Sequence, residues 1–418
     1  MNHKTKMLAV ALAAALPALG AHAQTNAELL KQIEALKAQI DALTARVEAV
    51  SQQGGGVNPQ EFNRLVQKVE LAEEKNLAAG FVGLKFKGVV DVAYQWDRNS
   101  VAVGFDSTRG NGGYGAAMFE VTKESEEGVG WTLRLVPLSG LGTIVHEATV
   151  SVPFGDSGAR INAGFTPDYS GYEYSMGNLN PLVTNNLLYT HSAAANYVGV
   201  GMSYAIGKWT AKWMIGQVDG VASRKAPGFA YRADYAMSEF SGVGFSGVHV
   251  RTNANVAAAN TDLLEIDAYP TRGDLTLQGQ VSVGRLLGGA LDGSGADARW
   301  WGLSGLVGYK LTPRLQALAR LDYINNRSNG GGMYFNPTDA NRTTVFGPEL
   351  DNTGAVINPT RGANRYALTT GVNYAVNDNT QWKAELRFDR SSGYNFLNSN
   401  GIYKKGNTTL STGIVVSF

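Results

Sequence analysis

Charged side chains recur at every second position of short apolar segments in this sequence, and the chemistry that spacing offers is electrostatic rather than covalent. From Leu84 to Trp96 the even positions Leu84, Phe86, Gly88, Val90, Val92, Tyr94 and Trp96 are mostly apolar, while Lys85, Lys87, Asp91 and Gln95 take odd ones. Trp382, Ala384, Leu386 and Phe388 alternate in the same way with Lys383, Glu385, Arg387 and Asp389. Successive side chains on a strand point to opposite faces, so each segment has a greasy face and an ionic one. The same parity puts Lys85, Lys87, Arg134, Arg160, Lys212, Arg232, Lys310, Arg314, Arg320, Arg365, Lys383 and Arg387 on the ionic face. Asp91, Glu120, Glu147, Asp234, Glu265, Asp267, Asp322, Glu385 and Asp389 join them. Such charges around water set ion preference, and a slight basic excess leans towards anions.

Covalent and metal chemistry lack their residues. The chain has no cysteine, which removes thiol catalysis, disulfides and thiolate-held metal together. After residue 23 the only histidines are His146, His191 and His249, and no Ser-His motif or carboxylate pair stands out from the charged background. By parity His146 and His249 share the apolar face with Ile144 and Phe245. The expectation is no enzyme, no metal and no cofactor. Removing Lys4 and Lys6 from 36 basic against 35 acidic residues leaves about one negative charge, so bulk charge points to no nucleic-acid partner.

What must position an ionic face against water and an apolar face against something else is a closed sheet. The two-residue period yields about 16 segments of roughly ten residues, the length a tilted membrane strand needs. They centre near Val90, Phe119, Leu133, Ala148, Ala163, Gly201, Trp213, Arg232, Ser246, Ile266, Gln280, Gly305, Ala319, Thr370, Leu386 and Ile414. A soluble sandwich also alternates, but it carries fewer aromatics at strand ends. The expected fold is an all-β transmembrane antiparallel barrel, residues 80–418, whose lumen at this strand number holds water. Connections alternate between short turns and long loops, the long ones including those near Asn255 and Pro348. The longest, Asn325 to Gly362, has no strand pattern. The segment Thr166 to Leu187, with Asp168, Tyr169, Tyr172, Glu173 and Tyr174, is the candidate for a loop folded into the lumen as a constriction. An external loop fits the same residues.

The N-terminal part reads differently. Residues 1–23 form a secretory signal peptide: Lys4 and Lys6, an apolar run from Met7 to Leu19, then Ala21-His22-Ala23. No other segment has about 18 consecutive apolar residues, which excludes membrane-spanning helices. Within 24–53 one heptad register holds Ile33, Ile40 and Val47 at a with Leu29, Leu36, Leu43 and Val50 at d, an α-helical coiled coil and oligomerisation seam. Ile at a with Leu at d leans towards two strands. Residues 54–58, opening with Gly54-Gly55-Gly56, form a linker, and 59–79 a second helix that Pro59 can start. At the other end Leu410, Ile414, Val416 and Phe418 make a greasy strand, the edge a barrel closes by pairing it with the first.

This layout resembles bacterial outer-membrane porins. Pro59-Gln60-Glu61-Phe62-Asn63-Arg64 running into Gly80-Phe81-Val82-Gly83-Leu84-Lys85 looks like a Gram-negative family known only as a domain of unknown function. Gly164-Phe165-Thr166-Pro167, Gly171-Tyr172-Glu173 and Asn185-Asn186-Leu187-Leu188-Tyr189 are similar to a beta-barrel porin family. The resemblance implies an outer-membrane location with the coiled coil in the periplasm, and lipid and the outer-membrane assembly machinery as partners. Phe418 then stands as the assembly signal. It also implies a homo-oligomer, a trimer by family likeness where the seam alone allows a dimer. The implied activity is passive diffusion of small hydrophilic solutes. A structural tether using the coiled coil is the alternative, and a barrel enzyme a remoter one.

Overall fold

A computed structural model describes residues 83–99, 103–106, 117–125, 128–136, 145–174, 177–193, 196–218, 227–254, 257–290, 292, 294–328 and 348–418. The signal peptide, coiled coil, linker and second helix lie outside the described residues. Sixteen strands close into an antiparallel barrel. The first eight are β1 Leu84–Asp97, β2 Ala117–Lys123, β3 Gly130–Leu135, β4 Val145–Phe154, β5 Ala159–Thr166, β6 Tyr197–Ile206, β7 Trp209–Val218 and β8 Gly228–Ser238. The rest are β9 Ser241–Ala254, β10 Ala257–Ala268, β11 Leu275–Leu286, β12 Ala298–Lys310, β13 Leu315–Ser328, β14 Arg365–Asn377, β15 Thr380–Ser391 and β16 Gly406–Ser417. Short segments Val103–Asp106 and Thr271–Arg272 join the same sheet. Each of the sixteen expected strand centres falls in its strand, in order.

Closure is between β1 and β16, in register from Val89↔Ser417 to Asp97↔Thr409. Gly88 and Phe418 exchange two backbone hydrogen bonds beyond that run, 2.8 and 2.9 Å long. The Phe418 ring occupies the place a side chain on residue 88 would take, because a Cβ there would lie 2.1 Å from its Cζ. The glycine that interrupts the apolar face of β1 is thus the notch for the last aromatic.

Tight turns use glycine where the backbone demands it. Gly207, at φ 55°, forms with Lys208 the two-residue hairpin between β6 and β7. Gly164 has φ 125°, and a Cβ on it would sit 2.1 Å from the Ala148 carbonyl oxygen, so β4 and β5 approach here only because residue 164 has no side chain.

Two connections differ from the sequence expectation. β9 and β10 run on to Ala254 and Ala257 with Ala254↔Ala257 paired, so the connection at Asn255 is short. Alternation weakens through 253–260 because four of its eight residues are alanines, which suit either face. The stretch after β13 contains a hairpin of Pro348–Leu350 and Val356–Gly362, which strand periodicity did not reveal because nearly every residue of its second strand is exposed.

The outer face carries the apolar side chains, Phe86, Ile206, Ile266 and Leu321 among them. Towards the long-loop end of β6–β14 the pattern inverts. Tyr197, Met214, Ala230, Val248, Val250, Leu263, Leu286, Ala298, Trp300, Ile324 and Ala367 face inwards and form one buried cluster with Tyr169, Leu187 and Leu188 of the loop after β5. A hydrophobic core therefore sits inside the barrel on one side. Filling the notch should weaken closure: Gly88→Leu is expected to displace the Phe418 ring and destabilise the barrel by about 1–3 kcal/mol, the usual cost of overpacking. A lowered temperature of heat-modifiable migration in gels would show it, and an unchanged one would refute the notch.

Candidate functional site

The chain from Pro167 to Asn196 connects β5 to β6, and its described residues bond to the inner face as far round as β12–β15. A loop there has few backbone partners of its own, so the wall must supply them. Asp168 pins the root. It accepts from the Tyr197 hydroxyl at 2.6 Å and from the Ser170 amide at 3.1 Å, and also from the Ser170 hydroxyl. Tyr169 meets Tyr197 edge-on at 5.4 Å, and Lys212 Nζ lies 4.2 Å from the Tyr169 ring centre. The Tyr172 hydroxyl is 2.8 Å from Ser304 Oγ on β12.

The far side of the loop is held by a charged patch on β13–β15. Arg320 donates to Glu173 at 2.7 Å, to the carbonyls of Thr184 at 2.8 Å and Asn185 at 2.9 Å, and to Asp322 at 3.1 Å. Arg387 donates to the same Asn185 carbonyl at 2.6 Å. Glu385 accepts from the amides of Val183 at 2.8 Å and Thr184 at 3.1 Å. Lys383 donates to the carbonyls of Gly177 and Asn180. Leu179 packs against the buried cluster Val89, Met118, Val136 and Val415, so the loop reaches the closing seam and β2 beside it. Asn186 caps the short helix α1, Leu187–Ser192, by accepting from the Tyr189 amide at 2.6 Å. Trp300 Nε1 donates to Ser192 at 2.8 Å.

The loop therefore makes contacts that begin at its root, where Asn196 donates to the His146 carbonyl of β4 at 2.8 Å and Tyr197 of β6 bonds Asp168, and continue round to the seam. Its residues expected to meet lumen water, Asp168, Tyr169, Tyr172 and Glu173, are instead its anchors, and Tyr174 is the exposed one. The expected pore-lining residues divide likewise. Arg320, Arg365 and Arg387 face inwards as parity requires but are buried, Arg365 over the Phe396 ring at 4.8 Å. Loop carbonyls take the donors of Arg320 and Arg387, so these two guanidinium groups do not face the water path. Arg160 donates to Ser151 Oγ at 2.6 Å and the Gly128 carbonyl at 2.8 Å. Arg232 is paired with Asp234 at 2.7 Å and Asp267 at 2.8 Å, and donates to the Tyr169 carbonyl at 3.1 Å.

What remains is a ladder of alternating charge on β1–β4. Lys87 meets Glu120 at 3.2 Å, Arg134 bonds Glu120, and Arg134 meets Glu147 at 2.8 Å. Lys85 pairs with Glu124 at 2.6 Å, largely in solvent. Reading residues by parity alone missed Lys383, Glu385 and Trp300 as loop supports. The available signal was the Asn185-Asn186-Leu187-Leu188 run, a cap followed by apolar residues. His249 faces outwards as parity expects, whereas His146 is buried, because β3 and β4 shift register between Arg134 and Leu135 opposite it.

The sequence profile of the family described as "Putative beta-barrel porin-2, OmpL-like" matches residues 83–418. The chain belongs to this family. It is an outer-membrane porin by family and by fold. No curated protein sequence matches it. Among solved structures, the anion-selective porin of Comamonas acidovorans superposes at a TM-score of 0.55 with 12% identity, over 80% of this chain and 99% of that one. A trimer form of OmpT from Vibrio cholerae gives 0.51, with 12% identity over 80% and 99%. The outer-membrane channel DcaP of Acinetobacter baumannii gives 0.50, with 10% identity over 80% and 97%. At these identities the likeness is one of fold.

In this porin the loop stands or falls with Arg320, whose side chain has 0% exposure. Arg320→Ala leaves Glu173 and Asp322 buried without it, a cost of about 3–5 kcal/mol. The variant should lose thermal stability and, where it still closes, show a larger single-channel conductance as the loop leaves the wall. Unchanged conductance in a folded variant would mean the loop is held without Arg320.

Proposed function

We propose that this porin is a passive, weakly anion-preferring diffusion channel for small hydrophilic solutes, with its constriction between the loop 167–196 and the inner wall of β1–β4. One observation carries the reading: the loop's charged anchors Arg232, Arg320, Lys383, Glu385 and Arg387 lie on β8, β13 and β15, whereas Lys87, Glu120, Arg134 and Glu147 pair with one another along β1–β4, Lys87 being the most exposed of them. Alternating signs along that ladder nearly cancel, so preference rests on Lys212 and Lys87 rather than on the buried arginines. At 0.1 M salt charges are screened within about 10 Å, so preference should fade as salt rises. The site performs transport rather than catalysis: its acids and bases are spent on one another.

The membrane reading carries further assignments. The short turns and both termini of the barrel face the periplasm, and the long loops face outwards. The seam Leu29, Ile33, Leu36, Ile40, Leu43, Val47 and Val50 joins copies into a trimer in the periplasm. Phe418 is read by the assembly machinery.

Planar-bilayer recording under a KCl gradient tests the channel. Wild type should show a small zero-current potential of anion sign, and Lys87→Glu combined with Lys212→Glu should move it towards cations. Wild-type cation selectivity, or no shift in the double variant, would reject the assignment. The trimer is tested in the full chain. Ile33→Asp, Leu36→Asp and Ile40→Asp put unpaired charges in the seam at several kcal/mol each, about the cost of burying an unpaired ion. Sedimentation in detergent should then report monomers with the barrel still heat-modifiable, and persistent trimers would place the contact elsewhere.

A further inference from the structure

Two arginines face each other across one strand pair on the outside of the barrel. A single row crosses β9 to β12 in register: His249↔Asp262, Asp262↔Arg285, Arg285↔Arg299. All four side chains point away from the lumen, because their chain neighbours Val248, Val250, Leu263, Leu286, Ala298 and Trp300 belong to the internal core. One outward position nearer the barrel middle stand Leu264, Val283 and Trp301, all exposed. The outer face thus changes from apolar to ionic within two residues, a step of about 7 Å along a strand.

The charges on this row do not cancel. Arg285 meets Asp262 at 2.6 Å, but the same carboxylate also takes His249 Nδ1 at 2.9 Å. Arg299 lies 3.5 Å from Asp297, and its side chain is 64% exposed. Arg251, exposed two residues beyond His249, adds a third guanidinium. Like charges directly opposite on adjacent strands repel each other, so Arg285 beside Arg299 is a local cost that an anion between them would relieve. Guanidinium groups recognise phosphate through paired hydrogen bonds. The row begins where the apolar face ends, the depth at which lipid headgroups begin.

We propose that Arg285 and Arg299 bind the phosphate of an anionic lipid headgroup in the leaflet at the long-loop end of the barrel, with Arg251, two strands from Arg285, adding positive charge to the same rim. This rests on the membrane reading above. The row lies outside the lumen, so it can be altered without touching the channel.

Native mass spectrometry of the full chain in non-ionic micelles tests it, with diphosphorylated lipid A and phosphatidylcholine as probes. Wild type should hold lipid A more tightly than phosphatidylcholine. Arg285→Gln combined with Arg299→Gln should weaken lipid A by about tenfold, and Asp262→Asn should strengthen it. Heat-modifiable migration and single-channel conductance of the variants should match wild type, which separates loss of the row from loss of the fold or the channel. Equal retention of both lipids by wild type, or undiminished lipid A binding by a folded double variant, would overturn the proposal. Displacement of lipid A by millimolar inorganic phosphate would overturn it in favour of a free-anion site. If the lipid binds as expected while wild type conducts nothing, the channel reading fails and this one stands.

Discussion

A loop inside a barrel must have its backbone groups satisfied by the wall, and here Arg320 is the centre of that arrangement. Its guanidinium spans two loop carbonyls, one loop carboxylate and one wall carboxylate, so it fixes Glu173 and the Thr184–Asn185 turn relative to β13 at once. Arg387, Glu385 and Lys383 extend the patch along β15. Buried unpaired charge is far more costly than a surface charge, so each member depends on the rest. The position of α1, and with it the internal hydrophobic core, follows from where these bonds hold the chain.

That arrangement also redistributes the electrostatics of the lumen. A transverse field needs acids on one side of the water and bases on the other. Here Glu173 touches Arg320, and Arg232 lies against Asp267 and Asp234, so the strongest charges are neutralised in contact pairs. Among the described loop residues Tyr174 and Thr190 are exposed and both are uncharged, and the charges of β1–β4 form a ladder of alternating sign.

Most of the barrel was legible because a strand with lipid on one face and water on the other has to alternate, and Leu84 to Trp96 or Gln381 to Asp389 can do little else. Parity also told correctly that Arg320 and Arg387 face inwards. It could not tell what covers them, since an arginine in water and one under a loop occupy the same position in the period. The internal core was missed for a related reason: Val248, Leu263 and Trp300 look like lipid-facing residues whose register has slipped, and only the loop's own Leu187 and Leu188 explain them. His146 escaped because a register shift adds a residue without marking the sequence.

The closing seam has a kinetic consequence. Asp97 and Thr409, whose side chains are bonded, are 312 residues apart in the chain, whereas most other strand pairs join neighbours through turns or short loops. Contacts of such separation form late, because the chain entropy of bringing the ends together must be met first. Until then β1 and β16 are both open edges, each able to pair with the wrong strand. The notch at Gly88 gives the final pairing a test of register: slipped by one residue, β16 would turn the Phe418 ring towards the lumen and leave the notch empty.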